Sequence, residues 1–333
     1  MEEALFYEKI SPDKVKCGLC NHRCLILKGR VGLCNVRQNN NGVLYSLNYG
    51  KVIAAHVDPI EKKPLFHFLP GSRCYSIAAM GCNFSCQHCQ NADISQVNEQ
   101  LISGENVTPE QVVKDALQSN CPSIAYTYTE PTIFYEFAID CMKLAHKRDL
   151  KNIWVSNGYT TQEALKDAKP YLDAANIDLK FFKNESYLKV CGAKLQPVLD
   201  NLIWYQKNKI WLEITSLIIP DLNDSDAELK NIAVFIKNEL GTDVPWHVSA
   251  FFPSHRMIDK EPTSRETIKR AYEIGKAAGL RNIYGGNILG SELENTYCPK
   301  CNTLLIARAG YNVERFDKKG RCPKCKEKIT IIN

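Results

Sequence analysis

The amino-acid sequence predicts an α/β fold, a partial (β/α)6 barrel with a small cysteine-rich segment at each end. Three observations predict it: strand-like and helical stretches alternate along the middle of the chain, polar motifs follow the strands, and cysteines cluster near both termini. Alternating strands and helices, with strands that are apolar on both faces, are typical of a parallel sheet covered by helices. A chain of 333 residues is long enough for such a barrel with small additions.

The individual elements follow from hydrophobic periodicity. Strands are predicted at 74–80, 123–128, 152–157, 174–182, 210–218 and 246–252, with a further candidate at 282–288. Amphipathic helices are predicted at 108–119, 132–148, 226–240 and 264–279. Six or seven units are fewer than the eight of a closed barrel, so we expect an open or partial one.

We divide the chain into four parts: a four-cysteine segment (1–42), a hairpin and extended linker (43–72), the barrel (73–290) and a zinc ribbon (291–333). Two strand-like runs around "NYG" predict the hairpin. Prolines at 59, 64 and 70 exclude a long helix or a central strand from the linker. The linker is therefore predicted to lie extended across a domain surface.

Composition and charge predict a cytoplasmic protein. The acidic N-terminus has no apolar signal region, and no run approaches the roughly 18–20 apolar residues of a membrane span. The net charge is +5, and the stretch 296–333 carries nine Lys or Arg against three Asp or Glu. Such a basic tail is compatible with nucleic-acid binding and equally with a well-solvated small module.

Cysteine usage indicates metal binding, because thiols stay reduced in the cytosol. Eleven of the 15 cysteines form three groups, namely Cys17, Cys20, Cys24 and Cys34; Cys82, Cys86 and Cys89; and Cys298, Cys301, Cys322 and Cys325. The other four, Cys74, Cys121, Cys141 and Cys191, are interpreted as small buried apolar residues or are left unassigned.

The two terminal groups differ in what their spacing predicts. The C-terminal pair of C-x2-C motifs, twenty residues apart, predicts a tetrahedral zinc ribbon whose small core needs metal to fold. The N-terminal C-x2-C-x3-C-x9-C pattern suits zinc or an auxiliary [4Fe-4S] cluster alike. Its polar surroundings favour zinc, and both metals stay open.

The central group holds three cysteines where thiolate sites usually have four. Iron–sulfur clusters are normally held by four cysteines, so three leave one iron open to another ligand. This group follows the first predicted strand, and "TEPT", "SNGY", "DLK" and "PSH" follow or close later ones. In parallel α/β folds these strand ends share one edge, where chemistry collects. An incomplete structural zinc site is the alternative.

The motifs "DPIEKKPLFHFLPGS", "GCNFSCQHCQN" and "YTEPTI", with the terminal cysteines, resemble those of radical S-adenosylmethionine (SAM) enzymes. The chain is similar to glycyl-radical-enzyme (pyruvate formate-lyase) activating enzymes and to the radical SAM member of the AmmeMemoRadiSam system. The resemblance implies a [4Fe-4S] cluster whose open iron binds SAM, reductive cleavage of SAM, and a 5′-deoxyadenosyl radical that abstracts hydrogen. It also implies a low-potential donor of ferredoxin or flavodoxin type, and it suggests the other two families of that system as partners.

The resemblance also implies SAM contacts. An aromatic position near adenine corresponds to His88, and a histidine near the ribose corresponds to His255. The remaining candidates are Thr129 and Glu130 at the methionine ammonium, Ser156 and Asn157 at the ribose or carboxylate, and Asp178 and Lys180 at the carboxylate. The family's Gly-Gly-Glu-Pro turn lacks both glycines here. A structural ion pair, a simple turn or a surface histidine is the alternative for individual members.

Three functions follow from these patterns. The first is a radical SAM enzyme that acts on a protein or peptide, as activating enzymes do. The second is a radical SAM enzyme that modifies a small metabolite or RNA, with the basic ribbon as the RNA-binding part. The third is a non-catalytic, zinc-rich nucleic-acid adaptor, which predicts zinc rather than iron at the three central cysteines.

Overall fold

The computed structural model describes residues 1–288, 290 and 292–333. Its N-terminal part consists of short strands: β1 (Glu2–Glu3), β2 (Tyr7–Ser11), β3 (Lys14–Cys17), β4 (Leu25–Leu27), β5 (Arg37–Asn40), β6 (Val43–Ser46) and β7 (Lys51–Val52). β2, β3 and β4 form one antiparallel sheet, and β1, β6 and β5 form another.

An eight-stranded sheet forms the centre of the molecule. Its strands come from β8 (Ala54–Pro59), β9 (Arg73–Ala78), β11 (Ser123–Tyr126), β12 (Lys151–Ser156), β13 (Ala174–Asp178), β14 (Trp211–Ile218), β15 (Trp246–Ala250) and β16 (Ile283–Gly286), while β10 (Glu105–Asn106) pairs with β7. From β9 to β16 neighbours run parallel, and β8 pairs antiparallel with β9 at one edge. The predicted α/β fold with a parallel sheet is therefore confirmed, with seven parallel strands.

Six α-helices of seven or more residues connect these parallel strands within the described residues: α1 (Pro109–Gln118), α2 (Tyr135–His146), α3 (Gln162–Ala168), α4 (Leu195–Lys207), α5 (Asp226–Phe235) and α6 (Arg265–Ala278). Thr108, Ser225 and Ser264 cap three of them, because each side chain accepts a hydrogen bond from a backbone amide of the first turn. None of the described helices combines the length and the apolar character that a membrane span requires.

The structure differs from prediction over residues 43–72. β6 pairs with β5 and β1, and β7 pairs with β10, so the predicted hairpin does not form. The linker after β8 does not lie on the surface, because Ile60, Leu65 and Phe68 pack in a buried cluster with Cys74, Ala125, Ile153 and Ala174 at the beginnings of the strands. Prolines exclude regular structure but not burial, and here the linker closes the bottom of the barrel.

A buried ion pair joins the N-terminal part to the barrel. Arg37 Nη1 lies 2.9 Å from Glu136 Oε1 on α2, and both side chains are almost fully buried. Arg37 also donates to the Leu5 carbonyl, and the Leu5 amide donates to Glu136. The charges, once removed from water, are therefore compensated by each other and by the backbone.

The C-terminal ribbon is an antiparallel sheet of β17 (Thr296–Tyr297), β18 (Leu304–Ala309) and β19 (Asn312–Arg315). Buried Arg308 donates to the carbonyls of Glu294 and Phe66, and its guanidinium lies 4.2 Å from the Phe66 ring. The ribbon is thus fixed to the linker at the bottom of the barrel. The predicted boundary at residues 290 and 291 includes Ser291, which lies outside the described residues.

The ion pair provides a test of this anchoring. Glu136→Ala leaves Arg37 buried without its partner, and we expect a loss of about 3–5 kcal/mol in the free energy of unfolding. Urea denaturation followed by tryptophan fluorescence measures the change. Asp243→Ala, which removes the partner of Arg281 in an exposed pair, should cost less than about 1 kcal/mol. Equal losses in the two variants would contradict the anchoring role.

Candidate active site

A cleft of about 580 Å³, a size typical of ligand-binding pockets, extends from the carboxyl ends of the parallel strands into the barrel. It reaches the linker at Lys63, Pro64 and Phe66 and the ribbon at Glu294 and Tyr311. Most of the sequence-predicted residues line it, namely Cys82, Cys86, His88, Cys89, Thr129, Ser156, Asn157, Asp178 and Lys180. Glu130 and His255 are not among its lining residues. The polar motifs that follow separate strands in the sequence therefore meet at one site.

The three central cysteines lie in the loop after β9, and their sulfur atoms do not form a group within 4.8 Å of one another. This arrangement does not suit one ion bound to all three sulfur atoms and is compatible with a four-iron cluster, in which each thiolate would bind a different iron. The Phe84 amide lies 3.4 Å from the Cys82 sulfur, and the Ser95 hydroxyl lies 3.1 Å from that of Cys89. Hydrogen bonds of this kind tune the reduction potential of a bound cluster. The donor set fits the cluster that the sequence predicts.

His88 lies in the cleft wall with no hydrogen-bond partner on either ring nitrogen in the described part of the chain. Burial, with a smaller effect from the charge of Lys180, lowers the pKa of His88 to about 3, so the ring is neutral. A buried polar side chain without a partner is rare in proteins. The ring is therefore available to a molecule bound in the cleft.

Lys180 provides a positive charge at the same site. Its ammonium lies 2.7 Å from the Asp178 carboxylate, and both side chains face the cleft. Burial opposes the charged form of Lys180, but Asp178 and the thiols of Cys86 and Cys191 raise its pKa well above the ordinary value. The cleft thus presents a cation that can bind an anionic group.

Glu130 lies behind the cleft wall rather than in it. Its buried carboxylate accepts hydrogen bonds from the amide and hydroxyl of Thr132, the hydroxyl of Ser156 and the amide of Asn157, at 2.6–3.1 Å. Asn157 in turn donates to Asn83, the residue after Cys82, at 2.6 Å. Glu130 therefore connects two strand-end turns to the cysteine loop.

His255 lies in the loop after β15, which packs over the cysteine loop. The hydroxyl of Ser254 donates to the His88 carbonyl at 3.1 Å, and the Arg256 amide donates to the Gln87 carbonyl. The residues on either side of His255 thus hold the backbone near His88. The side chain of His255 is partly exposed, outside the lining of the cleft.

Sequence reasoning missed several cleft residues. His247 and Ser249 alternate on β15 and line the cleft, and His247 contacts the buried Glu213 at 2.8 Å. Their two-residue spacing was a usable signal, because alternate strand residues share a face. Cys191 does not line the cleft but lies within 4.8 Å of Cys86 and His88. It gave no such signal, since the helical turn Tyr187–Cys191 that carries it was not predicted.

The C-terminal cysteines form a compact group whose four sulfur atoms all lie within 4.8 Å of one another. The pairs Cys298–Cys325 and Cys301–Cys322 are each 3.5 Å apart. Hydrogen bonds from Thr303 lower the pKa of the Cys301 thiol to about 6, which favours the thiolate that binds metals. This arrangement is consistent with a site for a single metal ion.

The N-terminal cysteines do not form such a compact group; instead they line one largely apolar cavity. Burial raises the pKa of Cys34 to about 12 and also raises that of Cys20. The negative charges of nearby thiolates raise the pKa of Cys34 and of Cys20 further. Four thiolates at this position therefore require a compensating positive charge.

Comparisons with known proteins agree with this geometry. The model of the radical SAM superfamily matches residues 77–233. The uncharacterized protein MJ0808 of Methanocaldococcus jannaschii is 45% identical over 335 residues, which cover 100% of both chains. The pyruvate formate-lyase-activating enzyme of Clostridium pasteurianum is 25% identical over 170 residues, 47% of this chain and 67% of that enzyme.

Among solved structures, a radical SAM methyltransferase from Sphaerobacter thermophilus shares the fold with a TM-score of 0.52 at 15% identity, over 66% of this chain and 67% of that one. The cysteine loop at the strand ends and the superfamily match lead to the same conclusion. Residues 77–233 of the chain form a radical SAM domain with homology to the activating enzymes of glycyl-radical enzymes.

Proposed function

We propose that this protein reductively cleaves SAM at a [4Fe-4S] cluster held by Cys82, Cys86 and Cys89. The observation that carries the proposal is the cleft itself, where three spaced thiols face an unpartnered imidazole and a buried cation. When bound, the reduced cluster and SAM supply a 5′-deoxyadenosyl radical that abstracts a hydrogen atom. Zinc at these cysteines, as a nucleic-acid adaptor requires, would leave the cleft without a role.

The side chains around the cleft bind and orient SAM in this proposal. Lys180, held by Asp178, binds the methionine carboxylate through a charge-assisted contact. The neutral ring of His88 contacts the adenine. Thr129, Ser156 and Asn157 offer polar atoms to the ribose and the amino group, while Glu130 positions Ser156 and Asn157 from behind.

A protein or peptide is the proposed substrate. The ribbon contributes Glu294 and Tyr311 to the cleft lining, and the Tyr311 side chain is 58% exposed. A large, exposed aromatic residue at a cleft is well suited to contact a polypeptide. Relatives of 24–26% identity are named as activating enzymes of other enzymes, which supports the same substrate class.

The remaining assignments belong to the same proposal. The compact C-terminal cysteines bind one zinc ion, since tetrahedral thiolate sites are typical of zinc.

A ferredoxin- or flavodoxin-type donor supplies the electron in the cytoplasm. The motif resemblance supports membership of the AmmeMemoRadiSam system, whose other two families then become candidate partners. RNA is the alternative partner, through the basic ribbon.

The first test compares the wild type with a Cys82/Cys86/Cys89→Ala triple variant. We expect the variant to lose about four irons per chain and all dithionite-driven formation of 5′-deoxyadenosine, measured by anaerobic metal analysis and chromatography. Cys121→Ala, a buried cysteine outside the three groups, should keep both. Zinc in place of iron and no 5′-deoxyadenosine in the wild type would contradict the proposal. SAM turnover stimulated only by small molecules or RNA would contradict the polypeptide substrate.

Lys180→Met tests the carboxylate contact. Loss of one hydrogen bond to a charged group costs about 1.5–3 kcal/mol, so we expect SAM to bind roughly tenfold to a hundredfold more weakly. Equilibrium dialysis against the reconstituted protein measures this. Lys183→Met, which removes an exposed lysine nearby, is the matched control and should bind SAM normally. Unchanged affinity for Lys180→Met would mean that the pair with Asp178 is structural.

Glu130→Gln tests the positioning role. The new amide NH2 group faces hydrogen-bond donors, so we expect the free energy of unfolding to fall by about 1–3 kcal/mol even without SAM. Urea denaturation in the absence of SAM measures it, with the exposed Glu163→Gln as a control. Normal stability together with weaker SAM binding would instead identify Glu130 as a direct ligand.

A further inference from the structure

We infer that Cys17, Cys20, Cys24 and Cys34 bind an auxiliary iron–sulfur cluster rather than zinc, and that electrons reach the SAM site through it. The binding of the cluster stands by itself, while the electron route rests on the proposed function. The sequence pattern left both metals open. The sulfur arrangement, the cavity and the contacts with the loop of Cys82 favour the cluster.

The sulfur spacing separates the cysteine groups of this chain into two classes. The C-terminal sulfur atoms all lie within 4.8 Å of one another, as ligands of a single ion must. Among the described residues, neither the four N-terminal cysteines nor Cys82, Cys86 and Cys89 form such a group. The N-terminal cysteines therefore differ from the predicted zinc site, and resemble the predicted cluster site, in that their sulfur atoms are not gathered within 4.8 Å of one another.

The N-terminal sulfur atoms line a small cavity that has room for only about one water molecule. A tetrahedral zinc ion needs no cavity between its ligands. Cluster irons bond directly to the thiolates and approach them more closely than water does, so a narrow cavity suffices for a cluster.

Two buried hydrogen-bond donors in the cavity wall have no acceptor. Arg37 Nε and Asn83 Nδ2 both belong to residues that are at least 96% buried, and neither nitrogen has a partner in the described part of the chain. Buried donors are almost always satisfied. The bridging sulfides of a cluster would provide acceptors, and the Arg37 cation would offset the negative charge of a thiolate-bound cluster.

The cavity shares a wall with the SAM site. Asn83, which follows Cys82, lines the cavity, and its carbonyl contacts His22 Nε2 at 2.7 Å. On the other side, Gly81 approaches the Cys34 carbonyl so closely that a Cβ atom would lie 3.1 Å from it and 2.6 Å from Val36. The residues on both sides of Cys82 thus touch the N-terminal segment.

Leu33 also lines the cavity and is 66% exposed, so the cavity lies close to solvent there. Leu25 and Leu27 on β4 are exposed as well, and they pair directly with Lys16 and Lys14 on β3. An apolar and basic surface suits an acidic one-electron donor of the flavodoxin or ferredoxin type. The donor loses one electron, the auxiliary cluster gains and then passes it, and the SAM cluster is reduced by one electron.

Metal content of the full-length wild type decides the first part of the inference. Anaerobically reconstituted protein should contain about eight irons and about one zinc per chain. The Cys82/Cys86/Cys89→Ala variant should keep about four irons, with a paramagnetic resonance spectrum that SAM does not change. About four irons and two zinc ions in the wild type would overturn the inference, whether or not any variant folds.

The electron route is tested with Cys20→Ala and two reductants. We expect the ratio of flavodoxin-driven to dithionite-driven 5′-deoxyadenosine formation to fall more than tenfold relative to wild type. The matched control, Cys121→Ala, should keep the wild-type ratio. An unchanged ratio in a Cys20→Ala protein that has lost its auxiliary irons would overturn the route. If the wild type makes no 5′-deoxyadenosine with dithionite, the proposed function fails, while the iron count still decides the cluster.

Discussion

The buried carboxylate of Glu130 is the interaction on which the geometry of the site depends. It joins the turn after β11 to the turn after β12, because Thr132, Ser156 and Asn157 all donate to it. Burial raises the pKa of Glu130, and these hydrogen bonds counter that effect. Asn157, fixed in this way, holds Asn83 and with it the loop of Cys82. One acidic side chain therefore sets the positions of the SAM candidates and of the first cysteine.

A second buried carboxylate, Glu213 on β14, organises the bottom of the barrel. It accepts hydrogen bonds from the amides of Phe66 and His67 and contacts His247, which lines the cleft. Burial raises the pKa of Glu213, but the contact with His247 outweighs it and keeps the pKa below the ordinary value. The proline-rich linker is thereby held inside the barrel, where its buried backbone donors have partners. Arg308 then binds the ribbon to the same linker.

The three cysteine groups differ in how their sulfur atoms are arranged. Sulfur atoms packed around a point suit one ion, whereas sulfur atoms spread around a cavity suit a cluster. The N-terminal segment, fixed by Arg37 and Glu136, contacts the backbone on both sides of Cys82. Its position beside the SAM loop gives the first forty residues a role that a remote structural zinc site would not have.

The sequence by itself determined the order of the seven parallel strands, four of the six longer helices between them, the three cysteine groups and the edge at which the polar motifs meet. These features follow from hydrophobic periodicity and from the spacing of motifs along the chain, which do not depend on contacts between distant residues. Only the tertiary structure decided that residues 60–70 are buried, that Glu130 lies behind the cleft and that Cys191 lies beside Cys86. Each of these depends on contacts between residues distant in sequence, such as Glu213 with Phe66. The distances between sulfur atoms, on which our choice between an ion site and a cluster site rests, likewise cannot be calculated from the spacing of cysteines along the chain.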